Sequence, residues 1–114
     1  MDIVFESSQF EEECNNQRQR LLVRKHGADR AKRIQKRLNS LRYANVLEDM
    51  RNVPGRCHEL LHDRAGQLAL DLDHPYRLIF EPANEPIPTK SDGGLDWSQI
   101  TAVRIIGVED YHGK

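Results

Sequence analysis

No stretch of this chain stays apolar for the roughly 20 residues that a membrane-spanning helix requires. Met1-Asp-Ile-Val-Phe5 also offers no basic segment of the kind that opens a secretory leader. Both absences point to a soluble, unprocessed protein, expected in the cytoplasm. Cysteine is scarce: Cys14 and Cys57 stand without framework spacing, which excludes a disulfide scaffold and suits a reducing compartment. Apolar residues make up only 38% of the chain and mean hydropathy is -0.73. A chain of 114 residues therefore folds around a modest core, and a partner is expected to cover part of its surface. Internal repeats and low-complexity tracts are missing as well.

What the chain does have is charge, separated by sign. The net value of -1 conceals it. Residues 18–42 hold ten Lys or Arg against Asp29 alone, which leaves seven basic and seventeen acidic residues elsewhere. Segregation of that kind has two readings. It marks a surface for phosphate or an acidic partner, or it is a solvated helical face balanced by acids from the rest of the fold.

Periodicity places the elements. Asp2 to Phe5 alternates as a short opening strand. Ser8 followed by Glu11 fits a capping box, and basic residues up to Lys25 precede a natural stop at Gly27. One helix is expected over about 8–26, burying Phe10, Cys14, Leu21 and Leu22. Asp29 is placed to cap a second helix through Tyr43, whose Ala31, Ile34, Leu38 and Leu41 recur at helical spacing. The two form a helical hairpin over about 8–43, and Val46 to Met50 adds a turn before Pro54-Gly55. From there the period is two. A short strand over 57–61 and a turn at Asp63 to Gly66 lead to Leu68, Leu70 and Leu72, a strand with one buried face. Tyr76 to Phe80 and Ile100 to Val108 are further strands. The loop 82–98, with Pro82, Pro86, Pro88, Gly93 and Gly94, is too long for a hairpin turn, and Trp97 is expected to pin it to the body. The order predicts one α+β domain over 1–114: a helical hairpin on a mainly antiparallel sheet of four to five strands, spanning about 56–112.

Several groups in this pattern bear on chemistry. Arg77 sits mid-strand among apolar residues, paired with Glu81 or Asp71 or facing an open surface. Arg56 and Arg64 flank the neighbouring strand, and Asp110, Tyr111 and His112 end the last one. Metal-free RNA cleavage needs a base for the 2′-OH, an acid for the leaving oxygen and cations at the phosphate. Histidine and arginine supply those functions. His58 and His62 share a strand face, yet no third ligand at zinc spacing accompanies them, so neither metal nor cofactor is expected. Cys57 reads as a small buried side chain, His26 as a helix-terminal charge and His74 as a turn residue.

Leu47-Glu-Asp-Met-Arg51, Pro54-Gly55-Arg56, Glu59-Leu60, Asp63-Arg-Ala-Gly-Gln67, Tyr76-Arg-Leu-Ile-Phe80 and Glu109-Asp-Tyr-His112 occur in an order and spacing that resembles the HigB-type killer toxins of the RelE superfamily. The resemblance covers about residues 45–112, and the helical hairpin in outline. It implies a RelE-like fold and the toxin of a bacterial type II toxin–antitoxin system, a ribosome-dependent mRNA endonuclease. The implied partners are a helix-turn-helix, HigA-like antitoxin, the ribosome and mRNA, in an assembly that admits a homodimer or a toxin–antitoxin heterotetramer. It gives His112 proton transfer, with Asp110 orienting it, Tyr111 stacking on a base or positioning the sugar, and Arg77 holding the scissile phosphate. Arg56, Arg64 and His58 would contact RNA, and Arg30, Arg33, Lys36 and Arg37 would face a partner or ribosomal RNA. Asp71 stands where many relatives carry arginine, which implies a repelling charge beside the phosphate. Two other classes stay open: a non-catalytic binding or regulatory member of such a module, and a gyrase inhibitor of the ParE kind.

Overall fold

The computed structural model describes residues 1–15 and 19–110. After the opening strand β1, Asp2–Phe5, the first helix is started by Ser7, one residue before the expected cap. The Ser7 hydroxyl accepts the Phe10 N–H at 3.1 Å and fills one of the orphan donors of α1, Ser8–Asn15. The single helix expected over 8–26 is two helices. Gln19 takes a left-handed φ of 55° ahead of α2, Arg20–His26, and residues 16–18 lie outside the described set. Burial explains the break. In one straight helix Leu22 would point about 120° around the axis from Phe10, yet both are buried in the same core. Restarting the helix leaves Leu21 exposed, because only one of two adjacent leucines can face inward.

Gly27, with φ 84° and ψ 159°, ends α2 and opens α3, Ala28–Tyr43. Asp29, expected as the cap, makes no capping hydrogen bond and sits in the first turn, where the helix dipole favours its charge. The stripe Ala31, Ile34, Leu38 and Leu41 is buried as its spacing predicts. A 3-10 turn, Leu47–Asn52, follows. Its Asp49 carboxylate accepts the Asn45 and Val46 N–H groups at 2.9 and 3.3 Å.

The remaining strands are β2, His58–Glu59; β3, Leu68–Asp71; β4, Tyr76–Pro82; and β5, Ala102–Asp110. They form one sheet in the order β1-β5-β4-β3-β2, with β1 parallel to β5 and every other pair antiparallel. The strand expected over 57–61 shrinks to two residues, bracketed by the left-handed residues Arg56 and His62. β5 begins and ends two residues later than expected. Ile79 faces Gly107 and Phe80 faces Ile105, so Ile106 is the extra residue of a bulge.

One sheet face, including Leu68, Leu70, Leu78, Phe80, Val103 and Ile105, packs under the helices with Phe10, Leu22, Ile34 and Leu38. The other face was expected to be polar on β3. Instead Ala69 is fully buried with Leu60 and Ile79, and Ile106 packs against them. The cover comes from the chain between β2 and β3, where Leu60 donates its N–H to the Gln67 carbonyl at 2.9 Å. Trp97 is buried and donates its indole N–H to Glu59 Oε2 at 2.8 Å, with the Arg51 guanidinium 4.0 Å from its ring centre. The loop 82–98 is thereby pinned, as expected.

Leu38→Ala is expected to lower the unfolding free energy by about 3 kcal/mol, the usual cost of an emptied leucine site, and Leu21→Ala by less than about 1 kcal/mol. Urea denaturation of both variants checks this; equal losses would contradict the burial pattern.

Candidate functional site

Strand register assembles a row of charges across the sheet face that the helices leave open. Arg77 on β4 faces Asp71 on β3 and Glu109 on β5, and paired residues share a face. Arg77 Nε lies 3.3 Å from Asp71 Oδ1. Arg56 reaches the same carboxylate, its Nε donating to Oδ2 at 2.9 Å and its second nitrogen to Oδ1 at 3.3 Å. At the other end Arg64 donates two hydrogen bonds to the Glu109 carboxylate, at 2.9 and 3.0 Å, and a third to Gln67 Oε1 at 2.7 Å. The row therefore reads Arg56, Asp71, Arg77, Glu109, Arg64, with signs alternating. That alternation is what makes a guanidinium tolerable in mid-sheet. Asp71 does not stand as a bare repelling charge; two arginines hold it.

Beside the row lies a cleft of about 690 Å³, lined by His58 to Arg64, Arg77, Glu109 and Asp110. The 3-10 turn His62–Arg64 forms one wall and the ends of β4 and β5 the other. His58 Nδ1 is 2.7 Å from the Arg56 carbonyl. A carbonyl only accepts, so Nδ1 carries the proton and Nε2 is the nitrogen that can exchange one with a ligand. His62 was expected to share a strand face with His58. It lies instead beyond the strand, at a left-handed φ of 59°, a backbone cost of about 1 kcal/mol or more of the kind that gathers at functional sites. Leu61 next to it is 70% exposed.

Of the residues singled out in the sequence, the structure brings Arg77, Arg64, His58 and Asp110 to this cleft. Register gives Asp110 the strand parity of its partner Tyr76, opposite to that of Arg77, and it borders the cleft at the end of β5. Tyr111 and His112 lie outside the described residues. Arg56 lines a separate notch of about 110 Å³ with Asp71, His74 and Tyr76, and Arg77 is the wall common to notch and cleft. Glu109, which the sequence reading left without a role, shares the face of Arg77. The only signal for it was the two-residue alternation back from the strand end, and that needs the register to be known.

The basic residues of α3 divide. Arg30 donates to both Asp73 oxygens at 2.9 Å and stacks 3.4 Å above the Tyr76 ring. Arg37 donates to the Asp71 carbonyl at 2.9 Å, and burial followed by the nearby Arg33 charge lowers its pKa. Both therefore have partners within the fold, while Arg33 and Lys36 are exposed. Gly55 makes the Arg37 contact feasible. It has a left-handed φ of 115°, and a Cβ there would meet Arg37 Nε at 2.8 Å. Cys57 has its pKa pushed up to about 12 by burial, so it is a protonated thiol rather than a nucleophile. Among the described residues, no three His, Cys, Asp or Glu side chains are grouped so as to hold a metal ion. No helix among them is long and apolar enough to cross a membrane.

No protein-family model matches the sequence, and no curated protein matches it. Solved structures do match the fold. A YoeB/ParE toxin from Agrobacterium tumefaciens superposes with a TM-score of 0.59 at 12% identity, over 98% of this chain and 100% of that one. The YoeB–YefM complex from Staphylococcus aureus gives 0.56 at 17% identity, over 98% and 97%. The YoeB dimer from the same organism gives 0.56 at 16% identity, with the same coverage. The α+β architecture with its five-stranded, mostly antiparallel sheet is that of the YoeB and RelE-like toxins.

The Arg30 hydrogen bonds hold the Asp73 carboxyl below its ordinary value of 3.8. The folded state thus favours the ionised form, and the contribution to stability is complete above that value and lost as pH falls below it. The stability difference between the native chain and Asp73→Asn should be constant near neutrality and shrink as pH falls below about 4. Urea denaturation across that range measures it; a difference that does not change with pH would remove the pair as a source of stability.

Proposed function

We propose that this chain is the toxin of a bacterial type II toxin–antitoxin module and cleaves mRNA bound to the ribosome, as a HigB-like member of the RelE superfamily. One observation carries the reading: Arg77 stands on the open face of a toxin-type sheet, at one end of its central strand and between Arg56 and Arg64, and shares a cleft with His58. Arginine forks suit the oxygens of a phosphodiester. An imidazole whose Nδ1 faces a carbonyl presents Nε2 for proton exchange with a ligand.

The chemistry is a transesterification. A base takes the proton of the 2′-OH, the 2′ oxygen bonds to phosphorus, and the bond to the 5′ oxygen breaks as an acid protonates it. In this reading Arg77 holds the scissile phosphate and stabilises charge on its oxygens. His112 transfers a proton, Asp110 orients it, and Tyr111 stacks on a base. Arg64 and Arg56 guide the flanking backbone, and His58 is the second imidazole within reach. The neighbours supply a model for assembly, since one is a complex with YefM and another a dimer. A protein partner and a toxin dimer are the corresponding proposals here; that the partner is a helix-turn-helix antitoxin follows from the sequence resemblance, and the exposed Arg33 and Lys36 are surfaces for it or for ribosomal RNA.

A non-catalytic binding role has one observation in its favour. Asp71 already pairs with both Arg56 and Arg77, and Glu109 with Arg64, so each of the three row arginines has a resident anion.

Arg77→Ala is expected to reduce ribosome-dependent mRNA cleavage at least about 100-fold, as loss of a charge-stabilising donor does, and to abolish growth arrest without changing thermal unfolding. Primer extension on mRNA incubated with purified ribosomes reads this directly. Cleavage by Arg77→Ala at the native rate would sink the site assignment, and an absence of new ends with the native chain would favour the binding role.

A further inference from the structure

We infer that Asp71 is a built-in competitor for the phosphate subsite between Arg56 and Arg77, and that it keeps free RNA a poor ligand; this rests on the RNA-directed reading above. The Asp71 carboxylate bridges the two guanidinium groups, Oδ2 to Arg56 at 2.9 Å and Oδ1 to Arg77 at 3.3 Å. That is how a phosphodiester would use its two non-bridging oxygens, so the carboxylate occupies the space that phosphate needs. Its position is fixed from behind. The Asp71 N–H donates to the Gly55 carbonyl at 2.7 Å, and the Asp71 carbonyl accepts from Arg37 at 2.9 Å. Only side-chain rotation can move the carboxylate aside.

The two hollows show what the competition decides. Asp71 lines the notch with Arg56, and His58 and Arg64 line the cleft. Arg77 borders both, and its ion pair with Asp71 draws it toward the notch. A phosphodiester in the cleft must therefore take Arg77 from a resident anion. The competition is winnable because the shared carboxylate is solvated: the Asp71 side chain is 34% exposed, that of Arg56 61% and that of Arg77 22%, and pairs open to water are weak. A loosely held strand gains too little to displace the carboxylate. A strand presented in a fixed conformation loses less entropy on binding and gains enough. Asp71 is thus a specificity-determining residue, and the ligand it screens is the phosphodiester backbone of single-stranded RNA.

The test is binding of a short 2′-O-methyl RNA, which lacks the attacking hydroxyl and cannot be cleaved, followed by fluorescence anisotropy at several salt concentrations. Asp71→Asn in the full chain should tighten binding about fivefold or more and steepen the logarithmic salt dependence by about one unit, since one further cation becomes available to phosphate. Adding Arg77→Ala should erase the gain, and Asp71→Glu should bind like the native chain. Asp71→Ser, also neutral, serves if the Asn variant fails to fold, and far-ultraviolet dichroism verifies both. Weaker or unchanged binding by a folded neutral variant would overturn the inference and make Asp71 a support that positions Arg77. The cleavage reading fails separately. If Asp71→Asn binds tighter but no variant cuts ribosome-bound mRNA, the competitor stands and cleavage falls. If the native chain cuts and Asp71→Asn binds no tighter, the reverse holds.

Discussion

A guanidinium in the middle of a β-sheet must be matched by charge on the neighbouring strands, and the arrangement around Arg77 follows from that requirement. Leu78 and Phe80, on the helix side, admit no charge, since that face is closed by core side chains. Arg77 belongs to the other face, where Asp71 and Glu109 stand at the paired positions. Once those carboxylates are fixed, each recruits a further arginine, Arg56 on one side and Arg64 on the other. The outer two come from segments outside the regular strands, whose course is set by what they must reach. Left-handed Arg56 and the turn carrying Arg64 are backbone consequences of a charge row laid down by the sheet.

The same row ties the layers together. Arg37 crosses from α3 to the Asp71 carbonyl and passes Gly55 at a distance only glycine allows. Arg30 reaches Asp73 and covers Tyr76, at the start of the strand that carries Arg77. Two arginines of the basic segment are thus consumed in holding the β3–β4 region, and Arg33 and Lys36 are left facing outward. The charge separation seen in the sequence is partly an internal balance and partly an outward surface, and neither simple reading of it was complete.

How much of this was legible beforehand varies with the physics that decided each feature. The α3 stripe was legible because four apolar residues at helical spacing leave one solution. The break before α2 was not, since Ser8 to His26 holds neither Pro nor Gly to mark it, and the need to bury Phe10 and Leu22 in one core shows only in three dimensions. Ala69 looked like the solvent side of an alternating strand. It is buried by Leu60, whose approach depends on a turn that local propensity does not specify. For the candidate site, residue types pointed to Arg77, Arg64, His58 and Asp110. Strand register decides their grouping, and no spacing rule gave it. Asp71 is the clearest case: in one dimension it read as repulsion beside a phosphate, and in three it is the counter-charge that two arginines share.

The second apolar cluster gives the charge row its setting. Leu60, Ala69 and Ile79 exclude water from the sheet surface next to Arg77, and charges beside a dry floor act more strongly on a ligand than charges in open solvent. The long loop bears on the cleft only through Glu59, which Trp97 holds. It leaves β4 at Pro82 and returns at Ala102, the end of the sheet away from the Asp71, Arg77 and Glu109 row, and Trp97 fixes it against Glu59. None of its described residues lines the cleft. The turn that carries Leu60 also carries Arg64, so the segment that dries the floor supplies the cation at the rim. Its Arg64 contact to Glu109 ties that segment to the end of β5 across the cleft lining.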